Sequence, residues 1–268
     1  MSSVWRNGTL VPGDAAPGSF PPGAALFETL AVRQGRVECL ADHLARLARG
    51  LGHLALPPGP LASGDLDAWR DAFAALGKSD GILRLVAGPG FEELGLRALL
   101  PSPPVFSLQN LNTVRDDPEW LPRPKSAPWA NSLAAAVELR QSGAGPGVEG
   151  VQLDALGRVS EGSRSSLAWV EDGELRLPSD ATGRLPGTAQ AQLAAVAGLP
   201  ARPVASPVPT RASAVLLLRS TLPGGGAPVA SWHDASGRAL WAAADLAPAR
   251  ELLARLADHR AQRAVSLA

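Results

Sequence analysis

A chain of 268 residues has room for about two domains, and 46% hydrophobic with 19% charged residues gives material for a buried core, unlike a disordered chain. Lys plus Arg (25) balances Asp plus Glu (25), which leaves no electrostatic footprint for nucleic acid or an anionic membrane. Cys39 is the only cysteine, so a disulfide framework and a Cys-type zinc site are excluded; with no leader-like N-terminus and no run of about 18 apolar residues, the expectation is a soluble, cytoplasmic protein.

In chain order, residues 26–32 and 36–40 alternate around Gln34-Gly35 and predict a β-hairpin. Leu44, Leu47, Leu51 and Leu54 then recur at helical spacing and predict an amphipathic helix over 41–56, with Asp42 in its first turn and Pro57-Pro58 as its stop. A second helix is expected over 65–76, capped by Gly77, followed by strands at 82–87 and 95–100. The segment 101–105 (PSPPV) is the best domain boundary, which makes 1–100 a small α+β domain and 106–268 a larger one. In the larger domain strands are expected at 105–109, 111–115 and 150–154, with three more before residue 178. Further strands are expected at 202–206, 214–218 and 228–232, and helices over 129–141, 188–197 and 243–264.

The basic residues carry a skew. Only Lys78 and Lys125 are lysines, and Tyr is absent, as expected of drift toward GC-rich codons. Arg can replace Lys wherever only charge is needed, but a guanidinium cannot lose its proton and attack a carbonyl. Lys125, in the Pro-rich segment 116–125 just ahead of a predicted helix, is therefore a candidate Schiff-base lysine as well as a solvated surface residue. The four His show no metal-ligand spacing and read as structural or surface residues, and no metal is implied.

Five segments in order carry a resemblance: FETLAVRQGRVECLADHLARL (27–47), KSAPWANSLAAAVELRQSG (125–143), GVQLDALGRVSEGSRSSLAWVEDGELRLP (150–178), RLPGT (184–188) and LLRSTLPGGGAPV (217–229). Together they resemble the class IV aminotransferase family, the fold type IV enzymes of pyridoxal 5'-phosphate (PLP). The resemblance implies a two-domain α+β fold of the D-amino acid aminotransferase type, with a small N-terminal domain and a larger C-terminal, cofactor-binding domain. It also implies a small-molecule amine substrate and a homodimer with the active site between domains.

By this resemblance Lys125 is the catalytic lysine that holds the cofactor covalently and shuttles protons. Glu161 of EGSRSS pairs with the pyridine nitrogen and keeps it protonated, so that the ring can accept electrons. Arg46 of HLARL binds the phosphate. Gly187, Thr188 and Ala189 open a helix whose backbone N–H groups suit the same phosphate, Leu185 packs on a ring face, and Ser220 with Thr221 makes the last phosphate contact. The Gly-Gly-Gly run at 224–226 makes that loop flexible or lets a ligand come close.

The departures concern substrate. The family often has a Tyr five residues after the lysine; position 130 is Ala, with Trp129 beside it. The usual Gly-rich entry before FETL is replaced by PGSFPPGAA (17–25), and AGPGFEELGLR (87–97) replaces an Arg-Gly pair. The expected activity is the family's lyase branch, which eliminates pyruvate from aminodeoxychorismate to give 4-aminobenzoate for folate synthesis. A transaminase of branched-chain or D-amino acids, and a PLP-binding protein that has lost catalysis, stay open beside it.

Overall fold

The computed structural model describes residues 3–12, 25–115, 122–126 and 130–267. The chain forms two compact units: Met1–Leu100, Pro124–Pro128 and Arg260–Ala268 make the first, Pro101–Arg123 and Trp129–His259 the second. Segments 124–128 and 260–268, which the sequence reading placed in the larger domain, thus belong to the first unit. Backbone pairing is the reason: the Phe27 N–H donates to the Lys125 carbonyl at 2.9 Å, and Leu26 and Ser126 form an antiparallel bridge. The segments 17–24 and Trp129, singled out above, lie outside the described residues.

The first unit opens with β1 (Ser3–Arg6) and β2 (Thr9–Pro12), a hairpin that the sequence reading missed. Asn7 and Gly8 turn it, both at positive φ (45° and 90°), the geometry that matches the twist of paired strands. The predicted hairpin follows as β3 (Leu26–Arg33) and β4 (Arg36–Val37), turned at Gln34-Gly35. Next come α1 (Leu40–His53), α2 (Pro60–Ser63), α3 (Leu66–Ala75), β5 (Gly81–Gly88) and β6 (Phe91–Arg97). β6 begins earlier than expected because Gly90, at φ 73°, closes a tight hairpin with β5. Side chains alternate along β3. Leu26, Leu30 and Val32 join Leu47 and Leu51 of α1 and Trp69 and Phe73 of α3 in the core, so residues 27, 29 and 31 take the other face of the sheet.

The second unit comprises β7 (Phe106–Asn110), α4 (Ala130–Gln141), β8 (Val148–Leu153), β9 (Val159–Gly162), β10 (Ser166–Glu171), β11 (Glu174–Pro178), α5 (Thr188–Val196), β12 (Ala201–Val204), β13 (Ala214–Leu218), β14 (Gly226–His233), β15 (Ala239–Ala242) and most of α6 (Ala247–Gln262). Its nine-stranded sheet runs β12-β11-β10-β13-β14-β7-β8-β9, with β15 on β14. The strand expected at 111–115 is absent. The N–H groups of Asn112 and Thr113 turn instead to the Glu138 carboxylate of α4, at 2.6 and 2.8 Å. The last helix starts at Ala247 rather than residue 243, because the Asp245 side chain accepts from the Ala247 N–H at 2.9 Å. A short β16 (Val265–Ser266) follows it and pairs with β4, which completes the first unit's seven-stranded sheet, β16-β4-β3-β5-β6-β1-β2. No helix among the described residues is long and apolar enough to cross a membrane.

Candidate functional site

In the first unit, Lys125 is half-buried and tied to β3 by its own carbonyl. Its Nζ lies 4.5 Å from the centroid of the Phe27 ring, and the Arg84 guanidinium lies at the same distance from that ring. Lys125 is therefore a placed side chain, with its amine over an aromatic ring.

Arg46 is on the opposite side of β3 and is not the exposed helix residue that an Arg-rich chain would suggest; it is 8% exposed. Its Nε and Nη2 donate to Glu28 at 2.7 and 2.6 Å, and His43 Nδ1 lies 2.7 Å from the same carboxylate. Burial pushes the Glu28 carboxyl up, but the Arg46 charge and its hydrogen bonds, with those of His43, outweigh this and bring it down to about 2. Burial pushes His43 below its ordinary value, against the pull of Glu28, so the ring is neutral and donates from Nδ1. One turn beyond Arg46, Gly50 packs on the loop that carries Lys125: a Cβ there would stand 3.5 Å from Pro124 and 2.5 Å from Leu26 Cδ1. Arg46 and Lys125 are thus brought to one end of β3.

The second unit gathers the remaining candidates. Glu161, at the end of β9, is 7% exposed, and its Oε2 accepts from the Leu185 N–H at 2.9 Å. Leu185 is half-buried and belongs to none of the apolar cores. Gly187 caps α5 without a side chain, so it offers no cap to the first-turn N–H groups, which no intrahelical carbonyl reaches. A Cβ at Gly187 would meet Ser166 Oγ at 2.2 Å, so only glycine allows this approach. Ser166 is the register partner of Leu218, the last residue of β13. The turn that carries Ser220 and Thr221, closed by the Leu222 N–H on the Arg219 carbonyl at 2.9 Å, therefore leaves the sheet at the end where Gly187 lies. Thr188 and Ala189 are buried behind it. The hydroxyls of Ser160 and Ser165, which flank Glu161 in sequence, are buried without a hydrogen-bond partner among the described residues.

The glycine run packs against a helix. Gly224 and Gly225 have positive φ (63° and 91°), and a Cβ at 224 or 226 would come within 2.9 Å of Ala257 or 2.7 Å of Leu253. The close neighbour at both positions is α6.

Sequence reasoning missed Arg115. It is 3% exposed and forms an ion pair with Glu161 Oε1 at 2.8 Å, yet it lies in LNTVRDD, which carries no motif. Glu28 stood inside the FETL motif, but nothing in its spacing announced a buried carboxylate.

Residues 25–232 match the family described as amino-transferase class IV. The chain belongs to the class IV aminotransferases. It is a PLP-dependent enzyme of that family. Its fold is that of 4-amino-4-deoxychorismate lyase from Pseudomonas aeruginosa (26% identity, 95% of this chain and 98% of that one, TM-score 0.78). It is shared with the branched-chain aminotransferase of Thermoproteus uzoniensis with norvaline (21% identity, 100% and 99%, TM-score 0.78). It is shared also with the branched-chain amino acid aminotransferase from Escherichia coli (19% identity, 94% and 92%, TM-score 0.75). No curated protein sequence matches the chain significantly.

The residues of this class IV aminotransferase fit the cofactor's charges. A phosphate suits the glycine-opened first turn of α5, and a protonated ring nitrogen suits the buried Glu161 carboxylate.

Proposed function

We propose that the chain is a 4-amino-4-deoxychorismate lyase, which eliminates pyruvate from a small amine substrate to leave 4-aminobenzoate, and that it works as a homodimer in the cytoplasm. The observation that carries this reading is the 26% identity with the Pseudomonas aeruginosa lyase over 95% of the chain, against 21% and 19% for the two aminotransferases. The absence of a Tyr at position 130 supports it: the residue there is an exposed Ala at the start of α4.

PLP, when bound, supplies an aldehyde that captures an amine and a ring that accepts electrons. The chain's own residues do the rest. Lys125 is the catalytic residue: its Nζ, once deprotonated, would hold the cofactor covalently, would be freed as a neutral amine when the substrate amine takes its place, and would then take the proton from the substrate ring carbon, so that the pyruvate side chain leaves as its enol. Glu161 keeps a proton on the ring nitrogen. The phosphate is bound by Arg46, by the backbone N–H groups that follow Gly187 at Thr188 and Ala189, and by Ser220 and Thr221. Leu185 presents an apolar side chain to the ring.

Pyruvate release from aminodeoxychorismate, measured beside amino transfer to 2-oxoglutarate, tests the reading. Pyruvate release with negligible transfer is expected. Transfer to 2-oxoglutarate without pyruvate release would make the chain a transaminase, the reading favoured by its likeness to the branched-chain enzymes. Bound cofactor with neither reaction would mark a protein that has lost catalysis. Borohydride reduction followed by peptide mass mapping tests the lysine: the adduct is expected on Lys125, and an adduct on Lys78 would refute the assignment.

A further inference from the structure

Glu161 is not a lone carboxylate beneath a strand end. Oε1 lies 2.8 Å from Arg115 Nη2, and Oε2 is taken by the Leu185 N–H. Arg115 is itself fixed from every other side. Nη1 donates to Asn131 Oδ1 at 2.9 Å, Ser132 Oγ at 3.2 Å and Gln152 Oε1 at 3.3 Å, and Nε donates to the Gly183 carbonyl at 3.3 Å. Those acceptors are locked in turn: Gln152 Nε2 donates to Asn131 Oδ1 at 2.7 Å, and Asn131 Nδ2 donates to the Val114 carbonyl at 2.8 Å. Gln152 is also the register partner of Glu161 between β8 and β9. The other cation that feels Glu161, Arg184, is bound to Asp180 at 2.8 Å and to Gln190, so Arg115 is the cation in contact with this carboxylate among the described residues.

We propose that Arg115 is a positioning residue for the ring-nitrogen contact, which aims the Glu161 carboxylate at the cofactor's ring nitrogen and balances its charge, so that the ring nitrogen keeps its proton. The inference rests on the assignment of Glu161 above. A carboxylate that already accepts a charge-assisted bond from a buried guanidinium has less electron density to offer a second proton. A carboxylate without that partner competes for the proton, and a ring that loses it becomes a poorer electron acceptor. The fork geometry matters separately: Nε and Nη1 are consumed by the scaffold, so Nη2 has one direction in which to point.

The test uses the full chain loaded with PLP that is 15N-labelled in the ring, in the wild type and in Arg115→Gln, Arg115→Lys and Glu161→Gln. The nitrogen NMR resonance reports where the proton sits, equilibrium dialysis reports the PLP Kd, and circular dichroism of the cofactor-free protein reports folding. In folded Arg115→Gln the resonance is expected to move toward unprotonated pyridine, with a Kd about tenfold higher or more, the loss of roughly one charge-assisted hydrogen bond. Arg115→Lys keeps the charge without the fork and is expected to fall between the two. An unmoved resonance and Kd in folded Arg115→Gln, or in Arg115→Lys if the glutamine variant does not fold, overturns the proposal. If Glu161→Gln leaves both quantities unchanged, the ring-nitrogen assignment of Glu161 itself fails, a result distinct from failure of Arg115 alone.

Discussion

Arg46 grips Glu28 through both Nε and Nη2, at 2.7 and 2.6 Å, inside a unit core where the carboxylate is fully buried. The pair links β3, which is tied to Lys125 by a backbone bond, to the helix that carries the proposed phosphate arginine. Arg46 is thus held by an anion of the protein's own, which pre-sets the direction of its guanidinium.

That burial makes the first unit acid-sensitive. Glu28 has its ordinary value of 4.5 when unfolded and about 2 when folded, so its contribution is fully present above about pH 4.5 and is lost as pH falls toward 2. His43 is also depressed by burial, so the unfolded chain takes up a proton below its ordinary 6.5 that the folded chain refuses, and stability starts to fall there. Both signs agree: the unit loses stability on acidification from pH 7. Urea unfolding between pH 7 and 3 is expected to show a fall, of which Glu28 supplies about 2 kcal/mol. In Glu28→Gln the part of the slope below pH 4.5 disappears, and stability at pH 7 drops by about 3 kcal/mol or more because the Arg46 charge is left buried without its partner. A wild-type slope in that variant would refute the assignment.

Lys125→Arg isolates the amine. The variant keeps a cation over Phe27, an interaction of about 1 kcal/mol, but cannot lose a proton or attack an aldehyde. Thermal unfolding within a few degrees of wild type is expected, with no borohydride-trapped adduct and a kcat lower by about a thousandfold or more. A trapped adduct elsewhere in the chain, with activity retained, would transfer the role to another residue.

How far the sequence could be read follows the range of the signals. The β3–β4 hairpin, the leucine spacing of α1 and the short strands on either side of the EGSRSS turn were legible because each depends on neighbours within a few residues. Arg115 was not, because its meaning lies in Glu161, Gln152 and Asn131, which only β-sheet register and a helix start bring to it. The segment around it also looked like a strand, but only its ends, the Leu111 and Arg115 N–H groups, reach β8, while those of Asn112 and Thr113 go to the Glu138 carboxylate of α4. The β1–β2 hairpin is a different failure: Asn7-Gly8 is a strong local turn signal and was passed over. The glycine run carries a further requirement that the sequence does not show, since α6 packs against Gly224 and Gly226.

Gly187 tests the α5 terminus by sterics alone. Its φ of −73° is accessible to any residue, so Gly187→Ala adds no backbone strain, only a Cβ that would lie 2.2 Å from Ser166 Oγ and 3.0 Å from Ser166 Cβ. The helix start or β10 must move, at a cost of about 1–3 kcal/mol. PLP affinity, measured by dialysis, is expected to fall about tenfold or more as the backbone donors shift. Ser166→Ala in the same chain removes the closer of the two contacts and is expected to restore part of the affinity. Full wild-type affinity in the single variant would mean that the phosphate does not use this turn.

The C-terminal strand is expected to be structural for the first unit. Arg260, 1% exposed, donates from Nε and Nη2 to Glu38 Oε2 at 3.0 and 2.7 Å, β16 pairs with β4, and Leu267 is buried in the core beside Val32 and Val37. Truncation after Ala264 exposes the β4 edge and removes Leu267, and the loss of that side chain alone is worth about 2–5 kcal/mol. Leu267→Ala in the full chain separates the two effects: it should reproduce most of the loss in urea unfolding while leaving the β4 pairing intact. Both variants should release PLP only through unfolding, so the cofactor Kd at low urea is expected to stay within about twofold of wild type. A large rise in Kd at wild-type stability would show that this strand acts on the site itself rather than on the fold that carries Arg46 and Lys125.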